Sequence, residues 1–106
     1  MTDPVIVIAT ATPLPGRAAE IVDALGRLIP RVHAEPGCLL YTLNQAESGQ
    51  LVFIEKWASQ ADADRHASSS AIMPELIEQV LPLLVGPPVV VAHSALPMGE
   101  AVKGTL

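Results

Sequence analysis

Cysteine is nearly absent: Cys38 is the only one in 106 residues. No internal disulfide is possible, and a chain without that staple fits a reducing cytoplasm. Aromatics are almost as scarce, with Phe53, Tyr41 and Trp57 standing alone, so the apolar content is aliphatic and alanine-rich. Basic residues are outnumbered, 6 against 11 acidic, for a net charge of −5. No Lys/Arg cluster offers an electrostatic footprint for nucleic acid or for an anionic membrane surface. The longest apolar runs, Val5 to Ala9 and Val89 to Ala92, are far too short to span a bilayer. No basic segment precedes a long apolar stretch at the N-terminus, which argues against a signal peptide. The dispersed His33, His66, His93 and Cys38 lack the spacing of a metal site. A phosphate-binding glycine loop, a nucleophile elbow and a flavin or nicotinamide fingerprint are all missing too, so neither metal nor cofactor is expected.

What remains is a short, aliphatic chain, 50% hydrophobic. Its length fits one domain over residues 1–106, with a core from about 5 to 96. Domains this small bury a modest share of their surface, and part of this apolar content is expected in a subunit interface. Val5 to Ala9, continuing to Thr12, reads as a strand that does not alternate with polar residues, as in sheets covered on both faces. Pro13-Leu14-Pro15-Gly16 is a turn. Ile21, Val22, Leu25, Leu28, Ile29 and Val32 then form one helical stripe, bent near Gly26 and Pro30. Cys38 to Gln45 and Leu51 to Trp57 read as a hairpin, with Leu51, Phe53, Glu55 and Trp57 on one face. Ser59 and Asp62 cap a short helix from about Gln60 to Ala67, which Ser68-Ser69-Ser70 interrupts. A second helical stripe runs from Ile72 to Leu84 with Pro74 in its first turn. Val89 to about Leu96 is a last strand, and Pro97 to Leu106 has no periodicity and reads as a tail. The order β-α-β-β-α-β is the ferredoxin-like α+β pattern, an antiparallel four-stranded sheet with both helices on one face. Strands one and four are apolar throughout, so the other face needs a cover. A second copy of the same sheet, in a two-fold homodimer, is the simplest one.

Three short motifs lie in order along this frame: Pro15-Gly16 ahead of the first helix, Glu35-Pro36-Gly37-Cys38 at the entry to the second strand, and Glu55-Lys56-Trp57 followed by His66. Together they resemble the antibiotic biosynthesis monooxygenase family over about Val5 to Leu96. The resemblance implies a dimeric α/β barrel with a pocket in each subunit between sheet and helices. It also implies a range of activities: cofactor-independent monooxygenases acting on quinols, anthrones and related phenols, haem-degrading monooxygenases, and isomerase-like proteins that process signalling sugars. Fold alone does not choose among them. The haem-degrading members resemble one another in an Asn near the first strand, where this chain has Ala9, Thr10, Ala11 and Thr12. Many members also carry a His or aromatic residue a few positions after the helix His, where this chain has Ser70, Ala71 and Ile72.

The expected activity is cofactor-independent monooxygenation of a small hydroxylated aromatic with O2. His66, the histidine of the motif, is the expected catalytic base, since imidazole titrates near neutral pH and the substrate must become an anion to reduce O2. Trp57 is expected to wall or stack on a flat ring, with an indole N–H to offer an oxyanion. Phe53 shares its face, and Tyr41 offers a hydroxyl. Glu55 either orients His66 or accepts a structural hydrogen bond, because a buried carboxylate needs a partner. His33 is placed on a wet part of the first helix or near its end, His93 near the interface, and Cys38 reads as a small buried strand residue. Two alternatives share the same apolar pocket: a haem-binding or haem-degrading monooxygenase, and a non-catalytic small-ligand-binding dimer.

Overall fold

The β-branched Val5–Ala11 segment forms β1 at one centre of an antiparallel sheet. A computed structural model describes residues 3–106. After β1 (Val5–Ala11) come α1 (Ala18–His33), β2 (Cys38–Gln45), β3 (Leu51–Trp57), α2 (Gln60–Ser69), α3 (Met73–Gln79), a single 3₁₀ turn at Leu81–Leu83, β4 (Val89–Ser94) and α4 (Ala101–Gly104). Strand order in the sheet is β2-β3-β1-β4, and every pairing is antiparallel. This is the ferredoxin-like arrangement expected from the element order. No described helix is long and apolar enough to cross a membrane.

Register decides which side chains meet the helices. Val5, Val7, Ala9 and Ala11 of β1 pair with Trp57, Glu55, Phe53 and Leu51 of β3. Across the hairpin, Tyr41 and Leu43 pair with Glu55 and Phe53. Since side chains alternate along a strand, these residues share the helix-side face, and along β3 every one of that set is buried. Against them α1 packs Ile21, Ala24, Leu25, Leu28 and Val32. Each fully buried aliphatic side chain contributes on the order of 1.5–3 kcal/mol relative to exposure. The opposite face carries Ile6, Ile8 and Thr10 of β1 with Val89, Val91 and His93 of β4. Val89 and Val91 remain 62% and 47% exposed there.

Three segments differ from the sequence reading. The Ile72–Leu84 stripe is not one helix: α3 stops at Gln79 and a 3₁₀ turn follows, because Pro82 has no N–H to give and its ring conflicts with the carbonyl four residues back. The last strand ends at Ser94, and the tail carries the single-turn α4. That tail returns to the outer sheet face, where the Lys56 ammonium donates to the Leu106 carbonyl at 2.7 Å. Elsewhere α1 runs unbroken through Pro30, which leaves only the Gly26 carbonyl without its helical donor.

Two turns hold α2 against the start of β2. The Ser59 hydroxyl accepts the Asp62 N–H at 3.2 Å, capping α2, and donates to the Asp62 carboxylate at 2.9 Å. Gly37 has φ +80°, and its carbonyl accepts the Ala58 N–H at 2.8 Å. A Cβ on Gly37 would lie 2.2 Å from the Asp62 carboxylate, so α2 sits as close as a glycine permits. Gly37→Ala is therefore expected to destabilise the fold by roughly 1–3 kcal/mol through left-handed backbone strain alone, with added loss from the displaced Asp62. Urea denaturation at unchanged m-value measures this, and a midpoint equal to wild type would contradict the close approach.

Candidate active site

Sheet, α1 and the α2–α3 segment enclose a cavity of about 360 Å³, at the small end of the range usual for small-molecule sites. Its walls are mostly apolar: Val7, Ala9 and Ala11 from β1, Leu51 and Phe53 from β3, and Met73, Leu76 and Val80 from the helical side. Polar groups enter at few points. Tyr41, Glu55 and His66 line the interior, and Gln60 and Asp64 are exposed residues at its margin.

His66 projects from α2, and its Nδ1 lies 3.0 and 3.3 Å from the two carboxylate oxygens of Glu35. Glu35 stands in the turn after α1, where the Ser70 hydroxyl at the end of α2 donates to its second oxygen at 2.7 Å. A carboxylate only accepts, so Nδ1 carries a proton, and in the neutral ring Nε2 is the nitrogen that holds the lone pair. The imidazole is thus fixed in one tautomer and one orientation by a group outside the cavity.

Behind the imidazole lies Trp57. Its indole stacks on His66 with centroids 4.8 Å apart and planes 27° from parallel, and its Nε1–H donates to Glu55 Oε1 at 2.9 Å. Trp57 is 0% exposed and is not part of the cavity wall. The expected substrate wall is therefore a layer behind the histidine, and the N–H expected to meet an oxyanion is already spent on Glu55. Phe53 and Tyr41 do line the cavity, with rings 5.9 Å apart. Tyr41 also sets its edge against His66 at 5.5 Å. Burial, helped by the nearby Glu55 and Glu35 charges, pushes the Tyr41 phenol well above its usual range, so it stays protonated as a hydrogen-bond donor.

Glu55 is only 4% exposed. Burial raises its carboxyl above the ordinary value, against the opposing influence of the Trp57 N–H and the nearby His66. Between the two alternatives expected for it, the hydrogen bond is to Trp57, while Glu35 is the group that orients His66. Glu35 and Ser70 are site residues that sequence reasoning passed over, although Glu35 stood in the quoted turn motif. The remaining candidates lie elsewhere. His33 is exposed at the end of α1 with Nε2 2.9 Å from the Tyr41 carbonyl. His93 is exposed on the outer sheet face, bonded to the Val91 carbonyl. Burial pushes the Cys38 thiol up, which makes it a poor nucleophile at neutral pH.

The fold and site define a ferredoxin-like domain with an apolar cavity and a carboxylate-anchored imidazole lining it. The sequence pattern of the antibiotic biosynthesis monooxygenase family matches residues 4–73, and the chain belongs to that family. It is 37% identical over 70 residues to the protein named "Putative monooxygenase Rv0793" of Mycobacterium tuberculosis, a match covering 65% of this chain and 69% of the relative. The solved structure of Rv0793 superposes with a TM-score of 0.77 at 32% identity, over 93% of this chain and 99% of that one. A further antibiotic biosynthesis monooxygenase structure matches with a TM-score of 0.77 at 26% identity, over 88% of this chain and 99% of that one. Protein SO0527 from Shewanella oneidensis gives a TM-score of 0.74 at 28% identity, over 88% and 91%.

Two measurements test this geometry. Trp57 is the sole tryptophan and stacks on His66, so its fluorescence is expected to change when the imidazole is removed. His66→Ala should alter the emission intensity or wavelength, and an unchanged spectrum would place the ring elsewhere. The second concerns Glu55, whose folded carboxyl holds its proton above the ordinary 4.5. Between the two values the native state binds more protons than the unfolded one, so its contribution to stability is full below about pH 4.5 and is lost as pH rises through the folded value. Glu55→Gln should lack this loss, and denaturation midpoints across pH should show the variant gaining on wild type as pH rises.

Proposed function

We propose that this protein is a cofactor-independent monooxygenase that oxidises a small hydroxylated aromatic of the quinol or anthrone type with O2. The observation carrying this reading is the His66 imidazole set in an apolar cavity, with Nδ1 held by Glu35 and Nε2 free to take a proton. An electron-rich ring enters between Phe53 and the helical wall. Nε2 removes a proton from it, and the ion pair of His66 and Glu35 offsets the positive charge that results. The substrate anion gives one electron to O2, and the radical pair recombines to a peroxide. Loss of water then gives the quinone. The protein contributes positioning and a dry cavity that keeps the anion reactive. Membership of the family and a relative named as a monooxygenase support the reaction type.

In the same reading the protein is a homodimer, with the outer sheet face packed on a second copy. The exposed Val89 and Val91 on that face support this, because a soluble monomer seldom leaves such a valine strand bare.

Oxygen uptake by chelator-treated protein across a panel of quinols and anthrones tests the activity. Wild type is expected to exceed autoxidation. His66→Ala should lose about 10²–10⁴-fold, the usual worth of a positioned general base. Glu35→Gln should lose less, since it keeps the base and removes only its anchor charge. Saturable binding of the same compounds without uptake would overturn the oxygenase reading in favour of a carrier.

A further inference from the structure

Loss of water from the peroxide is a second proton problem, distinct from the one His66 solves. In an anthrone the oxidised carbon starts with two hydrogens. His66 removes the first, O2 adds, and the peroxide takes that proton back, leaving a carbon that bears one hydrogen and an O–OH group. Forming the carbonyl then needs a base to remove the remaining C–H proton while the O–O bond breaks. The departing hydroxide must be protonated at the same moment, because a bare hydroxide in an apolar cavity is prohibitively costly. His66 cannot be both groups in one step.

Resting on the oxygenase reading, we propose that Glu55 is the acid partner of His66 and gives its proton to the oxygen that leaves as water. Glu55 lines the cavity, and its Oε1 accepts from the Trp57 indole. Its Oε2 has no protein partner among the described residues. The same indole stacks on His66, so Trp57 contacts both groups, the acid on β3 and the base on α2. The groups around Glu55 are His66 on α2, Glu35 in the turn before β2, and Tyr41 and Cys38 on β2. Among the rival acids, burial holds the Tyr41 phenol too weakly acidic, and Asp64 lies exposed at the margin. Burial raises the Glu55 carboxyl above its ordinary value, which favours the protonated form that an acid needs. The step balances: the C–H proton goes to His66, its electron pair forms the carbonyl, the O–O bond breaks, and hydroxide takes the Glu55 proton. Passage of a proton from His66 to Glu55 restores both groups. The net change is a methylene plus O2 giving a carbonyl plus water.

The test uses anthrone in single turnovers, with oxygen uptake and quinone absorbance followed separately. Glu55→Gln keeps an acceptor for the indole. It is expected to slow quinone formation about a hundredfold or more and to accumulate organic peroxide, so that quinone formed per O2 consumed falls. In wild type, quinone formation should also decline on the alkaline side as Glu55 ionises, a readout that survives if the variant does not fold. Quinone formation at the wild-type rate in Glu55→Gln, or the absence of an alkaline decline in wild type, overturns the role of Glu55 alone. Wild type without oxygen uptake on any substrate overturns the oxygenase reading and this proposal together.

Discussion

The contact between Glu35 and His66 is the constraint on which the site depends. It ties the end of α1 to the middle of α2, two elements that otherwise touch the sheet independently. Ser70 adds its hydroxyl to the same carboxylate, so a single half-buried side chain gathers the turn before β2, the imidazole and the C-terminus of α2. A half-buried carboxylate left unpartnered would be strongly disfavoured. Here its hydrogen bonds are made by the groups that need to be held still. The close approach at Gly37, where α2 meets the same turn, is the backbone counterpart of this contact.

From that anchor the chemistry spreads through layers. The sheet presents a row of three groups, Tyr41, Glu55 and Val7, paired side by side across β2, β3 and β1. Trp57 stands one pair further along β3, fully buried, and joins the sheet to α2 by stacking on His66. A tryptophan in this position does two things at once: its large apolar surface stabilises the core, and its single donor satisfies a carboxyl that burial would otherwise leave exposed to the low-dielectric interior. The aliphatic walls supplied by β1 and α3 then exclude water from the few polar atoms that remain. Small residues Ala9 and Ala11 on β1 leave the space that larger side chains would fill, and so the cavity exists where the chain is least bulky.

Much of the fold was legible in the linear order of residues because it rests on local periodicity. The stripe from Ile21 to Val32, the hairpin on either side of Ser48-Gly49 and the Ser59 cap are each set by neighbours in sequence, and each formed where its pattern lay. The Ile72–Leu84 stripe was misleading, since its apolar spacing continues past Pro82 while the backbone hydrogen bonds cannot. The site was only partly legible. His66, Tyr41, Phe53 and Glu55 all reach the cavity. Trp57, expected against the substrate, lies behind His66. Glu35 was visible as part of a turn but not as a partner of His66, from which it is separated by 31 positions.

By itself, then, the sequence determined the element order, the face of each strand that is apolar, and the residue types available for chemistry, because alternation and helical repeat act over a few residues. Only the tertiary structure decided which carboxylate meets the imidazole and which meets the indole. Glu35 and Glu55 are both acids beside aromatic or histidine-bearing elements in sequence terms. The antiparallel register of β2, β3 and β1, and the depth at which α2 settles on Gly37, assign one to hold the base outside the cavity and the other to line it.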